Sequence, residues 1–469
     1  MGITELLSEL NGFAWGPFML LLLVGTGIYL SIQTKFIQFT KFKLMISQTF
    51  GKNNKNSNDG ELSPIQSLTT ALAASVGTGN IAGVAGAITV GGPGAIFWMW
   101  VSALFGMVTK YAEVVLAMKY RERNEKGEYV GGPMYYIKNG LGPKFKWLAT
   151  LFCIFGALAA FGIGNMTQVN TIANSINNMF ASFGYNPEHV LFKFFGQNVP
   201  LTSILIGIIT SILVALVLLG GMKRIGQVTE KMVPIMAIIY VICSLAIILV
   251  NIHHIPAIII SIFKGAFSPN AALGGAFGIT IMTTIQKGIG RGVFANEAGL
   301  GSAPMAHATS SEQDPIKQAM YGIFEVFMVS FVICTMTAFV LMCGNAHGVS
   351  IHWGQSYGAD IISTCIGTLF GNKIASVIIT VSITLFALST LLTWSLYGIR
   401  CYEYIFGQKT VKMYQIIFIL SIIIGACLKL DIVWTIAEIL NGFMAIPNLI
   451  AIIGLSPIVI KMTRDYFEK

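Results

Sequence analysis

Ser75-Val76-Gly77-Thr78-Gly79-Asn80 stands in the middle of 48 residues, Leu62 to Thr109, that carry no charged side chain. One helical membrane crossing takes about 20 apolar residues, so the uncharged stretch is long enough for two. A polar, glycine-rich hexapeptide is hard to keep helical at membrane depth. Lipid cannot satisfy its N–H and C=O groups, and irregular backbone survives there only against protein or a water-filled cavity. The hexapeptide therefore reads as a break in a transmembrane helix, and in carriers such breaks mark binding sites.

Working outward, charged residues are 10% of the chain and hydrophobic residues 55%, against about 25% charged in a typical soluble domain. The composition predicts an all-α polytopic membrane protein. Eleven candidate spans follow from apolar runs and their interruptions, at about 14–32, 64–90, 94–118, 147–178, 201–221, 232–250, 270–288, 321–343, 374–398, 411–428 and 435–460. With the N-terminus outside, the inward loops and C-terminal tail hold 24 of the 29 basic residues. The outward loops hold only Lys193, Lys264, Lys373 and Lys429. Positive residues accumulate on the cytoplasmic side, so the expectation is an inner (plasma) membrane protein with an outside N-terminus and a cytoplasmic C-terminus. Insertion explains the net charge of +9, and no nucleic-acid partner is called for. Glu5 and Glu9 precede the first apolar run and Lys35 follows it, which reads as a retained anchor in membrane lipid rather than a cleaved signal. The seven cysteines are scattered, with neither zinc spacing nor a disulfide framework.

Beyond the first span the rest divide into five and five. Expected units are residues 1–62 (extra helix and linker), 63–255 (first repeat) and 256–469 (second repeat and tail). The first span of each repeat has an interrupted centre: Gly77-Thr78-Gly79-Asn80, and Gly274-Gly275-Ala276-Phe277-Gly278-Ile279-Thr280. Five is odd, so the second group enters from the opposite side, and paired interruptions in inverted halves point to a midplane site. Glycines such as Gly79 and Gly83 also serve close helix packing, a reading that stays open for either span alone.

Three further runs carry a resemblance. They are Gly91-Gly92-Pro93-Gly94-Ala95-Ile96-Phe97-Trp98-Met99-Trp100-Val101-Ser102-Ala103-Leu104-Phe105-Gly106, then Gly131-Gly132-Pro133-Met134-Tyr135-Tyr136-Ile137, and Arg291 to Ala308 with Asn296-Glu297-Ala298-Gly299. Together they resemble the alanine or glycine:cation symporters, also called sodium:alanine symporters. The resemblance implies a LeuT-like 5+5 inverted repeat preceded by one N-terminal helix. It also implies sodium-driven symport of a small neutral amino acid, alanine or glycine, with no organic cofactor and no enzymatic activity.

An amino acid presents a carboxylate and an ammonium. Breaking the first helix frees N–H groups at the start of its second half, where the helix dipole favours an anion, so Thr78, Gly79 and Asn80 are expected at the carboxylate. The ammonium needs acceptors: the carbonyls of Phe277 and Gly278 with the amide oxygens of Asn80 and Gln168. Phe277 and Trp394 would limit the side chain, and Thr280 offers a hydroxyl. For the cation, Glu113, Lys110, Glu325 and Glu438 lie near span ends, leaving a charge-free midplane. By the resemblance, a sodium site would combine carbonyls of Ala73, Val76 and Phe386 with the hydroxyls of Ser389 and Thr390. Asn296-Glu297, with Arg291 and His307, is expected on the cytoplasmic side, as a gate pair or a solvated loop. A proton-coupled carrier and a transporter-like amino-acid sensor remain the alternatives.

Overall fold

The computed structural model describes residues 2–51, 62–185, 190–194, 197–268, 280–428 and 431–468. Among these, nine helices are long and apolar enough to cross a membrane, and the bent pair Pro64–Ser75 with Thr78–Gly91 makes a tenth. The helices used below are α1 (Ile3–Ala14), α2 (Pro17–Gln33), α3 (Pro64–Ser75), α4 (Ala82–Gly91) and α5 (Gly94–Lys119). Then come α6 (Pro143–Ser182), α7 (Leu201–Leu218) and α8 (Gly221–Val250). After these follow α9 (Ile255–Phe267), α10 (Ile281–Asn296) and the short α11 (Pro304–His307). The last five are α12 (Pro315–Ala346), α13 (Ala359–Phe370), α14 (Asn372–Phe406), α15 (Val411–Cys427) and α16 (Asp431–Phe467).

Helix α7 shows how membrane helices invert the soluble pattern. Leu205, Ile209, Ile212 and Leu216 form its exposed stripe, while Ser203, Gly207, Thr210 and Ser211 are buried. Lipid is as apolar as leucine, so small and polar residues gain more by facing other helices. Gly207 sits where an added Cβ would be 3.0 Å from the Ala426 methyl on α15, and Ser211 Oγ donates to the Ile419 carbonyl at 3.2 Å.

The core is built around α5, which packs between α10 and α12, and around α14, which packs against α6, α8, α13 and α3. Helix α3 starts where Ser63 and Gln66 satisfy each other's backbone amides, each at 3.1 Å, with Pro64 as first helical residue. It ends at Val76. After a single tight turn, Thr78–Asn80, the chain resumes as α4, and the two halves are bent by 58°.

The second interruption was expected at Gly274 to Thr280. Residues 269–279, including Phe277 and Gly278, lie outside the described residues. Thr280 is exposed and caps α10, its hydroxyl accepting from the Thr283 amide at 3.1 Å. The described chain also breaks after Asn296, the second break below: Glu297, Gly299 and Gly301 have φ of 56°, 88° and 82°, and helix resumes only at Pro304. Left-handed backbone at three of five residues cannot continue a helix. Lys287 and Arg291, counted above with the inward loops, belong to α10.

Close packing makes a test. A Cβ on Gly94 would sit 2.2 Å from the Gly265 carbonyl carbon of α9, whereas Gly25 has nothing within 4 Å. Gly94→Ala should lower stability by about 1–3 kcal/mol, read as earlier thermal unfolding in detergent. Gly25→Ala should stay within about 0.5 kcal/mol of the parent.

Candidate functional site

At the first break the exposed backbone groups are claimed by specific side chains. Asn80 Nδ2 donates to the Ser75 carbonyl at 2.7 Å, and the Asn80 carbonyl accepts from Thr337 Oγ1 at 2.8 Å. Thr78 Oγ1 donates to Gln168 Oε1 at 3.0 Å, and Gln168 Nε2 donates to the Ile163 carbonyl at 2.9 Å. That carbonyl, which also accepts from Thr167 Oγ1 at 3.0 Å, lies in a π-helical turn of α6 at Gly162–Met166, a distortion common at functional sites. Asn80, expected at the substrate, uses its amide nitrogen to hold the break, while among the described residues its amide oxygen accepts only from Cys334 Sγ at 3.4 Å.

Two glycines let the elements meet. A Cβ on Gly77 would lie 2.7 Å from Thr390 Oγ1, and one on Gly164 would lie 2.2 Å from the Trp394 Cβ. The site-facing residues of α14 thus sit directly against backbone of α6 and of the first break.

The second break comes to the same place. Glu297, expected in a cytoplasmic loop, is 3% exposed. Its Oε1 accepts from Trp394 Nε1 at 3.0 Å and its Oε2 from Ser302 Oγ at 2.6 Å. Glu297 therefore pairs with neither Arg291 nor His307. A small cavity of about 20 Å³ is lined by Gly77, Gly79, Asn80, Gln168, Phe294, Glu297, Thr390 and Trp394 among others. Thus Gly79, Asn80, Gln168 and Trp394 come together as expected, Thr78 lies just behind Gln168, and Thr280 sits about 24 Å of helix away from Glu297. The midplane is not charge-free.

Beside the cavity five oxygens converge. Ser389 Oγ lies 3.1 Å from the Ala73 carbonyl, 3.5 Å from Val76 and 2.8 Å from Phe386. Thr390 Oγ1 lies 3.2 Å from the Ala73 carbonyl and 3.0 Å from that of Phe386. Each hydroxyl has one proton and faces three carbonyls, counting that of Ala74 at 3.4 Å from Thr390, so it can donate fully to only one of them at a time. A neutral cage of carbonyl and hydroxyl oxygens suits a hard cation.

Lys110, Glu113 and Glu325, expected near span ends, are wholly buried. Lys110 Nζ is 3.2 Å from Glu325 Oε1, and His307 Nε2 is 3.1 Å from Glu325 Oε2. Ser75, adjoining the first break, donates to Glu325 Oε1 at 2.7 Å. Glu113 Oε1 accepts the Gly301 amide of the second break at 3.0 Å.

Two further ion pairs involve the helices of the site. Arg291 pairs with Glu438 of α16 at 3.0 Å and lies over the Phe294 ring, 5.4 Å from its centroid. The N-terminal helices reach this pair: Trp15 Nε1 donates to the Glu438 carbonyl at 3.0 Å. Beyond lies a polar cavity of about 980 Å³ lined by Asn170, Asn174, Ser175, Asp360 and Thr380 among others. At the end where the basic loops gather, strands β1 (Glu122–Arg123) and β2 (Tyr129–Val130) form a hairpin. Arg400 of α14 joins it to Glu128 at 2.8 Å. Burial alone would raise the Glu128 carboxyl, but the Arg400 guanidinium holds it below the ordinary carboxylate value.

Comparison with known proteins agrees with this arrangement. A sequence profile of the Sodium:alanine symporter family matches residues 1–469. The sodium/alanine symporter AgcS of Methanococcus maripaludis is 42% identical, covering 100% of this chain and 98% of its own. A probable sodium/glutamine symporter, GlnT of Bacillus subtilis, is 33% identical over 97% of this chain and 89% of its own. Among solved structures, MhsT in complex with L-phenylalanine superposes with a TM-score of 0.59 at 13% identity, covering 87% of this chain and 99% of that one. MhsT has the LeuT fold. Helical crossings, a broken helix at a small polar cavity and a full-length family match lead to one conclusion: the chain belongs to the sodium:alanine symporter family, integral membrane symporters that carry amino acids with a cation.

Proposed function

We propose that the protein imports small neutral amino acids, alanine or glycine, together with sodium by alternating access. The observation that carries this reading is the five-oxygen cluster of Ala73, Val76, Phe386, Ser389 and Thr390 against the wall of the cavity. Sodium would sit among those oxygens. The carboxylate would meet the amides of Thr78 and Gly79, whose half-helix dipole favours an anion, with Gln168 alongside. The ammonium would meet Glu297, since each carboxylate oxygen has capacity beyond the single donor it now receives. Asn80 acts through the break it holds.

A cavity of about 20 Å³ is close to the room one water needs. Entry of even glycine therefore requires Phe294 or Trp394 to move, and side chains larger than alanine's are disfavoured. The family relation and the fold support two inverted five-helix repeats, residues 63–255 and 256–469, preceded by residues 1–62 with one more helix. The basic loops support a cell-membrane orientation with the N-terminus outside and the C-terminus in the cytoplasm.

Purified protein in liposomes should accumulate labelled alanine and glycine under an inward sodium gradient and not under a potassium gradient. Uptake unaffected by replacing sodium would sink the ion assignment. Ser389→Ala removes one oxygen of the cluster and should raise the half-saturating sodium concentration about tenfold. Glu297→Gln and Gln168→Ala should each weaken alanine binding about tenfold or more at saturating sodium, as read by isothermal titration. Unchanged binding in both would put the substrate elsewhere.

A further inference from the structure

Five ionisable side chains lie buried around the two breaks: Lys110 and Glu113 on α5, Glu297 in the second break, His307 on α11 and Glu325 on α12, none more than 3% exposed. Ionisable groups inside a membrane are expensive and mark function. Four of the five have a use already. Lys110 and His307 flank Glu325 at 3.2 and 3.1 Å, and Glu297 lines the cavity that would take an ammonium group. Glu113 has no cation in contact. Its Oε1 accepts from the Gly301 amide at 3.0 Å and from Asn448 Nδ2 at 2.6 Å. Its Oε2 has no hydrogen-bond partner among the described residues.

A buried carboxylate with a bare oxygen and no counter-charge is unfavourable by several kcal/mol. A proton on Oε2 removes the charge and leaves Oε1 as a carbonyl able to accept both existing bonds. The surroundings favour that form. On its own helix Glu113 faces Lys110, which Glu325 already engages; from α12 it faces Glu325 itself. From the turn at 133–136 it faces Tyr136, and from α14 Tyr397, whose hydroxyl also senses Glu297 and Glu325. Helix α16 contributes only the neutral Asn448, and His307 stands behind Glu325. Lys110 thus engages Glu325 directly and reaches Glu113 and Glu297 only at longer range.

We propose that Glu113 is a proton-binding site, occupied while the second break holds its present path and emptied when that break moves. The coupling is the bond from the Gly301 amide. Gly301 has φ 82°, and Pro133, Phe152 and Asn448 crowd the position of its missing Cβ at 2.6, 2.9 and 3.0 Å, so this turn packs closely against the elements around Glu113. Opening the end where the basic loops gather would draw Gly301 and α11 away and admit water to Glu113. The O–H bond on Oε2 then breaks, the proton passes to that water, and the carboxylate is left hydrated. The inference rests on the transport reading above, because it takes the second break to be a moving part.

The test uses the whole protein in weakly buffered detergent with a pH-sensitive dye, from about pH 5 to about pH 9. Adding sodium and alanine together should exchange protons, up to about one per chain. Glu113→Gln, which mimics the protonated acid, should abolish the exchange, and Glu113→Asp should retain it. No exchange by the parent protein at any pH, or undiminished exchange by E113Q, overturns the proposal. Infrared difference spectroscopy of the parent protein gives an answer even if E113Q does not fold. A protonated-carboxyl band should be lost on adding sodium and alanine, and its absence overturns the assignment. Liposomes separate the two readings: sodium-driven uptake with no proton exchange counts against Glu113 alone, whereas no sodium-driven uptake counts against the transport reading.

Discussion

Inside a membrane a backbone amide or carbonyl that leaves its helix has no water to turn to. Every unusual feature at the centre of this protein answers that constraint. Asn80 covers the Ser75 carbonyl, Thr337 reaches the Asn80 carbonyl, and Glu113 receives the Gly301 amide. The Ala73 and Val76 carbonyls turn instead to Ser389 and Thr390. A break therefore recruits partners from several helices, and α5, α12 and α14 owe their positions to it as much as to apolar packing.

The same constraint decides which residues must be small. Gly77 and Gly164 are occupied, where a side chain would begin, by Thr390 and Trp394. Replacing either would separate backbone from the groups that satisfy it. Close approach at these two positions joins the break of one helix to the hydroxyls and indole of another.

Much of this was legible in the sequence. A flexible polar hexapeptide in an uncharged stretch can be little else than a break, and Ser389 and Thr390, consecutive in a span, announce a polar face. Gln168 was legible for the same reason. The break after Asn296 was missed because Glu297 to Ser302 is less rich in glycine than Gly274 to Thr280, and because a carboxylate normally argues for a loop. What makes Glu297 tolerable is not local. One donor, Ser302, is 5 residues away, but the other, Trp394, is 97 residues away. Lys110 and Glu325 are 215 apart. Pairings of that separation leave no periodicity to read, and a charge in a span looks like a span end until its partner is known.

One step along α3 separates two different electrical environments. The Ser75 hydroxyl points to the buried Glu325 carboxylate, while the next residue, Val76, turns its carbonyl to the opposite, uncharged cluster of oxygens. A single uncharged helix end thus faces a carboxylate on one side and a cluster of carbonyl and hydroxyl oxygens on the other. In a medium of low dielectric so thin a septum would let the carboxylate and any ion held by those oxygens sense each other. The charge-free stretch around residues 75–80 is neutral in composition, yet it is where the electrostatics of the two halves are summed.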